Sequence, residues 1–386
     1  MNVLSKTNDA SIVGAIPVNS ELLSFNRPFS PQAAIRLDET VRALTAEGKG
    51  LLAMDESTPT CNNRFAQAGI PQTEERRRAY RELIVCTPDL NEYISGAILF
   101  DETIRQSTHD GVPMVKVLAD NGIVPGIKVD AGAKDMPGYP GEKISEGLDG
   151  LRARLAEYAR MGARFAKWRA VIVIGEGIPT RACIEANAHA LGRYATMCQE
   201  AGIVPIVEPE VLMNGDHTLE RCFAVTEDAL HTVFMELYVQ RAAYEYLILK
   251  PNMVLPGKES HKQKPLEEVA DATVACLLRS VPAAVPCVAF LSGGQPAELA
   301  SARLNEMNLR YKSRMPWVLT FSYSRAIQEP AIEAWKGHDE NIIQAQQALL
   351  HRAKCNSAAR RGMYTDVIEK DRNAVIPQPL PSAWSE

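Results

Sequence analysis

The sequence predicts an α/β chain closed into a single (β/α)8 barrel. Eight short runs rich in Val, Ile and Leu recur along the chain, at 50–54, 94–100, 124–129, 165–174, 203–207, 246–249, 287–291 and 317–321. Their apolarity is continuous rather than alternating, as in strands of a parallel sheet buried on both faces. The longer segments between them carry a helical period. A doubly wound open sheet is the alternative, but the count of eight and the lack of a glycine-rich first turn favour the barrel.

Taken in order, the elements begin with an extension over 1–34. Residues 1–32 are rich in Ser, Asn and Pro, with Lys6 and Arg27 as their only cations, so they make a poor secretory signal and a poor transit peptide. The first run ends in Asp55-Glu56-Ser57, and the second in Asp101-Glu102, which suit the start of a helix. The third ends around Lys128, with Asp130 next. Leu148, Leu151, Leu155 and Tyr158 then share one helix face, and Gly162 stands where a C-terminal cap belongs. The fourth run carries Lys167 and Arg169, two apart and therefore on one side of the strand.

Ile184, Ala188, Leu191, Ala195 and Cys198 form the next stripe, closed by Gly202. The fifth run leads into Glu208-Pro209-Glu210, again two apart. Leu230, Val233, Phe234 and Leu237 make a third stripe, and the sixth run ends in Lys250, Pro251 and Asn252. The charged stretch 258–264 reads as a loop. The seventh run ends in Ser292-Gly293-Gly294 and the eighth in Ser322-Tyr323-Ser324-Arg325. The barrel is thus expected over 35–364. The tail, 365–386, holds Pro377, Pro379 and Pro381 and is expected to be mobile or loosely laid on the surface.

Composition narrows the function. A hydrophobic content of 46% and a charged content of 23% are ordinary globular values, and 386 residues suit one large barrel. A net charge of −5 gives no long-range pull on nucleic acid or anionic lipid, and no apolar run is long enough to span a bilayer. Neither nucleic acid nor membrane is expected as a partner. The eight cysteines form no CxxC pair and the seven histidines are dispersed, which argues against a zinc site or a disulfide scaffold. The cysteines read as small buried hydrophobes in a reducing compartment, with the cytoplasm as default location. HExxH, Walker and GxGxxG signatures are missing from the sequence.

In such barrels the active site lies at the C-terminal ends of the strands. Lys250 alone reads first as a strand-end lysine extending to water, ahead of a Schiff-base lysine. Its company changes that reading. Charged or phosphate-binding groups stand at seven of the eight strand ends. Inward-pointing Asp55, Lys167, Glu208 and Lys250 would have to pair with one another, because isolated buried charges are too costly. Such coupling tunes amines and carboxylates for acid–base work, although a purely structural layer of salt bridges is the other reading. A desolvated lysine is a nucleophile toward carbonyl carbon. The Ser292-Gly293-Gly294 turn with Ser324 and Arg325 suits one anion, and Ser57, Thr60, Arg64 and Lys128 suit a second. A substrate phosphorylated at both ends would fit.

The runs GKGLLAMDEST (48–58), GIVPGIKVD (122–130), FAKWR (165–169), GIVPIVEPE (202–210), LILKPNMV (247–254), FLSGGQ (290–295) and LTFSYSRA (319–326) together resemble class I, metal-independent fructose-1,6-bisphosphate aldolases, from about Ile35 to Tyr364. The resemblance implies a Schiff base on Lys250, with Glu208 as general acid/base. Lys167 and Asp55 would position and polarise around that step, and Glu210 would support the lysine network. It implies Ser292, Gly293, Ser324 and Arg325 for the C1 phosphate, and Ser57, Thr60, Lys128 and Arg64 for the C6 phosphate. Arg169 would line the site, and Ser322 joins the substrate-binding set. It also implies sugar phosphates as ligands, no cofactor, a homotetramer, and a place in glycolysis and gluconeogenesis. Sedoheptulose 1,7-bisphosphate or fructose 1-phosphate as substrate, and an added scaffold role, are the alternatives.

Three departures stand out. Thr60 replaces the Ser of many relatives, and Ser324 replaces the Gly of animal enzymes, where added bulk could alter the phosphate pocket. Relatives commonly end in a tyrosine that assists proton exchange at the enamine, whereas this chain ends in Ser382-Ala383-Trp384-Ser385-Glu386. A slower enamine protonation, or another group in that role, is expected.

Overall fold

The architecture is taken from a computed structural model that describes residues 29–376. Its strands are β1 (Gly50–Ala53), β2 (Ile94–Leu99), β3 (Val124–Lys128), β4 (Ala133–Asp135), β5 (Lys143–Ser145), β6 (Phe165–Ile172), β7 (Val204–Val211), β8 (Ile248–Leu249), β9 (Cys287–Phe290) and β10 (Val318–Tyr323). Eight of them close a parallel barrel in the order β1-β10-β9-β8-β7-β6-β3-β2. Helices fill the intervals and cover the outside, as the (β/α)8 reading expects. The expected stripes hold: the helix Leu151–Met161 buries Leu151, Leu155 and Tyr158 and ends on Gly162 at φ 108°, and Arg181–Glu200 buries Ile184, Leu191 and Cys198.

The lower barrel interior is apolar. Leu51, Ala53, Ile98, Phe165, Val204, Ile206, Ile248, Cys287 and Ala289 form one cluster with Leu37, Val41 and Leu44 of the helix Pro31–Leu44, which packs against these barrel strands. Phe165 fills this layer because Gly126 on the next strand has no side chain: a Cβ there would lie 2.3 Å from the Phe165 ring. Burying an aromatic ring of this size contributes on the order of 3 kcal/mol.

The edges of the expected barrel differ from the sequence reading. The first helix starts at Pro31, before the expected boundary at 35, with the Ser30 side chain accepting from the Ala33 N–H. Ser followed by Pro is a helix start, since Pro at the first turn sacrifices no hydrogen bond. The fifth run extends to Val211, so Glu208 and Glu210 lie within β7 rather than after it. The sixth is shorter than expected, a two-residue strand after a 3-10 turn at Tyr244–Tyr246. An antiparallel hairpin, β4 with β5, was not foreseen. It is short, half-exposed and lacks a hydrophobic period.

The tail is not loosely laid where it is described. Asp366–Lys370 is a helix that buries Ile368 against Cys355 and Ala358. Glu369 accepts from Arg352 and, at 2.6 Å, from the Tyr364 hydroxyl, while His351 contacts the Glu369 carbonyl at 2.8 Å. The mobile-tail expectation for 377–386, the end of the chain included, and the extension over residues 1–28 lie outside the described residues. Seven of the eight cysteines are buried, with Cys86 exposed.

Candidate active site

Side chains on a strand alternate faces, so the residues two positions beyond the apolar layer also point into the barrel. Phe165 is followed by Lys167 and Arg169, Ile206 by Glu208 and Glu210, Ile248 by Lys250, and Ala53 by Asp55. Register sets their level. Val207 pairs with Leu249, so Glu208 and Lys250, each one residue farther, stand side by side.

The charges pair closely. The Lys250 amine lies 3.0 Å from Glu208 Oε1, and Lys167 Nζ lies 3.3 Å from Glu208 Oε2. Lys167 also reaches Asp55 Oδ2 at 2.7 Å and Asp130 Oδ2 at 3.9 Å. Lys128 pairs with Asp130 Oδ1 at 2.7 Å, and Arg169 Nε with Glu210. Four cations thus meet four carboxylates, which makes a buried cluster affordable. Asp130 also accepts from the backbone N–H groups of Gly132 and Arg169, which fixes its carboxylate between two lysines.

The two central lysines have different surroundings. Lys167 faces three carboxylates. Burial would lower its pKa, but Asp55, Glu208 and Asp130 outweigh that and raise it, so it stays an ammonium. Burial would raise Asp55, yet Lys167 and Lys250 more than offset this and hold its carboxyl below the ordinary range. Among the described residues Lys250 forms one ion pair, with Glu208.

The residues expected to bind anions stand at several strand ends. Ser292, beyond β9, and Lys128, on β3, belong to opposite strands of the ring, with Lys250, Glu208 and Lys167 on the consecutive strands β8, β7 and β6 between them. Gly293 and Gly294 adopt φ of 61° and 83°, and among the described residues their N–H groups have no hydrogen-bond acceptor. A Cβ on Gly294 would sit 2.4 Å from the Arg325 guanidinium, so the glycine lets Arg325 lie against the turn.

Ser57 and Thr60 hydroxyls are 3.1 Å apart at the start of the helix Thr58–Gln67. Arg64, on the same helix as Thr60, also donates to Ser324 Oγ at 3.1 Å, because β1 and β10 are neighbours. Among the described residues Glu210 pairs with Arg169 and with no lysine. Ser322 is buried, and its hydroxyl has no partner among the described residues.

Four contributors escaped the sequence reading. Glu56 accepts from Arg64 at 2.6 Å, Arg81 at 2.7 Å, Ser324 Oγ at 2.5 Å and Gln328 at 2.8 Å. Burial would raise its carboxyl, but Arg64 and Arg81 drive it well below the ordinary range. Ser324 is thus absorbed into a network that ties β1 to β10. Arg81 sits in a run of charges that reads as a solvated helix face, and Gln328 carries no signal of its own. Asn252, also missed, accepts from the Val211 N–H at 3.0 Å and holds the end of β7.

A (β/α)8 barrel with a buried cluster of lysines and carboxylates in its upper interior, between two strand ends suited to anions, has the layout of an enzyme active site. The family profile described as fructose-bisphosphate aldolase class-I matches residues 36–376. A probable class 1 fructose-bisphosphate aldolase of Xanthomonas campestris pv. campestris is 57% identical over 330 residues, covering 85% of this chain and 98% of that protein. Cytosolic fructose-bisphosphate aldolase 5 of Arabidopsis thaliana is 48% identical over 337 residues, 87% of this chain and 94% of that one. Among solved structures, fructose-bisphosphate aldolase from Plasmodium falciparum, in complex with TRAP and a small-molecule inhibitor, superposes with a TM-score of 0.86 at 45% identity, covering 88% of this chain and 98% of that one. The chain belongs to the class I fructose-bisphosphate aldolase family.

Proposed function

We propose that this chain reversibly cleaves fructose 1,6-bisphosphate to dihydroxyacetone phosphate and glyceraldehyde 3-phosphate through an imine on Lys250. The observation that carries the reading is the Lys250–Glu208 contact at 3.0 Å, flanked by the Lys167 ammonium. The Lys250 amine attacks the C2 ketone, the carbinolamine loses water, and a protonated imine forms. Glu208 takes the proton of the C4 hydroxyl while the C3–C4 bond breaks and its electron pair passes to the iminium, giving an enamine. Glyceraldehyde 3-phosphate leaves. Protonation at C3 and hydrolysis of the imine then release dihydroxyacetone phosphate.

Asp55 holds Lys167 where its charge stabilises developing oxyanion character. Ser292, Gly293, Ser322, Ser324 and Arg325 receive one phosphate. Lys128, Ser57 and Thr60 receive the other. Arg64, tied to Ser324, stands at the β1–β10 seam and bounds the first of these subsites. Arg169, paired with Glu210, lines the wall. Tyr364 donates to Glu369 at 2.6 Å, and in this reading Glu208 returns the proton to C3.

The cytoplasm is the proposed location: plant relatives are named cytosolic or cytoplasmic, and no helix among the described residues is long and apolar enough to cross a membrane. A homotetramer is the proposed assembly, on the family resemblance alone. Coupled detection of both triose phosphates tests the activity, with sedoheptulose 1,7-bisphosphate and fructose 1-phosphate run in parallel. Release from fructose 1,6-bisphosphate is expected at the highest kcat/KM, and no cleavage of it would overturn the reading.

A further inference from the structure

Behind the Ser292-Gly293-Gly294 turn lies a buried cation that the reaction scheme does not use. Arg303, on the helix Ala297–Tyr311, is 4% exposed. A guanidinium this buried is ordinarily paired with a carboxylate. Arg352, a second buried arginine near Tyr323, obeys that rule through Glu369. Arg303 does not. Among the described residues it has no ion pair and makes one side-chain hydrogen bond, from Nη1 to Gln295 Oε1 at 2.7 Å, while its Nε has no partner. Burial lowers its pKa only to about 10, so it is charged at neutral pH.

Gln295 closes the turn. Its N–H donates to the Ser292 carbonyl at 3.0 Å and its own side chain is buried. The uncompensated charge therefore sits one hydrogen-bonded side chain behind Gly293 and Gly294, whose N–H groups lack acceptors among the described residues. A cation in low dielectric acts strongly over that span.

We propose that Arg303 is the buried counter-charge of an anion bound on the Gly293–Gly294 turn, and that it makes the site select a phosphorylated ketose over its unphosphorylated analogue. Arg303 touches no substrate in this account. It is a positioning and charge-supplying residue acting through Gln295, and the ketose part of the proposal rests on Lys250 forming the imine.

Three variants separate charge from structure: R303Q keeps a donor toward Gln295 but loses the charge, R303K keeps the charge, and Q295E supplies the missing carboxylate at unchanged volume. Inorganic phosphate is titrated by calorimetry into the full-length protein and each variant. Borohydride trapping is then run against dihydroxyacetone phosphate and dihydroxyacetone. R303Q and Q295E are expected to weaken phosphate and dihydroxyacetone phosphate by about tenfold and to leave dihydroxyacetone unchanged, while R303K stays within about threefold of wild type.

Q295E is decisive if R303Q folds poorly, because it strengthens the Arg303 contact. A merely structural role predicts phosphate binding kept or improved in Q295E, and that result would overturn the proposal. Equal losses for the two ketones would do the same. A wild type that traps neither ketone contradicts the imine reading, whereas the phosphate titration still decides on Arg303.

Discussion

Through the level of Ile206 the barrel interior holds Phe165, Val204 and Ile248, and two residues farther along the same strands it holds Lys167, Glu208 and Lys250. Both layers are buried. The lower layer is held by area removed from water and by close packing, which tolerate no unpaired charge. In the upper layer each charge answers another, and Glu208 and Asp130 each face two lysines, so losing one cation does not strand its carboxylate. The contrast shows how a barrel separates folding from chemistry within a single period-two step along its strands: the lower layer can change in stability without touching the reaction, and the upper layer cannot.

The sharpest way to break that separation is Lys250→Met. Activity should fall by at least about three orders of magnitude, with secondary structure and urea midpoint close to wild type, because Glu208 keeps Lys167 as partner. Comparable loss of stability would mean that the upper layer is structural. Phe165→Ala is the mirror image. It opens a cavity beside Gly126 and should cost about 3–5 kcal/mol of stability, measured by urea unfolding, while kcat of the folded fraction holds at low temperature. A large fall in kcat there would join the two layers that the structure keeps apart.

Acid and alkali probe the upper layer as a whole. Asp55 and Glu56 are held below ordinary carboxylate values in the folded chain, so their stabilisation is complete above about pH 4 and is lost as pH falls below it. Lys167 is raised, so its contribution is intact below about pH 10 and is lost as pH climbs through its folded value. Urea midpoints across pH should therefore fall at both ends, and a midpoint flat down to pH 3 would contradict the pairing. The smallest effect is expected from Ser324→Ala. It removes the hydroxyl between Glu56 and Arg64 but leaves their direct 2.6 Å contact, so KM for fructose 1,6-bisphosphate should rise by less than about tenfold at constant kcat.

Much of both layers was legible in the sequence because both obey local rules. Continuous apolar runs mark barrel strands, and a charge two residues past an apolar inward position marks the mouth, which is why Lys167, Glu208 and Lys250 could be named together. What escaped depends on closure. That Arg64 would meet Ser324, 260 residues away, follows from β1 lying beside β10, which no local pattern states. Gln328 became a partner of Glu56 for the same reason, whereas Arg81, 25 residues away, reaches it from the packed helix Glu74–Val85. The β4–β5 hairpin escaped because its half-exposed strands have no core to write a period into their sequence.

The central claim is that Lys250 is the lysine that becomes an imine while Lys167, among three carboxylates, remains an ammonium. Borohydride reduction of the full-length protein with dihydroxyacetone phosphate, followed by peptide mapping by mass, tests it directly. One adduct per chain on the peptide holding Lys250 is the predicted result. An adduct on Lys167, or none at saturating ketose, would contradict it.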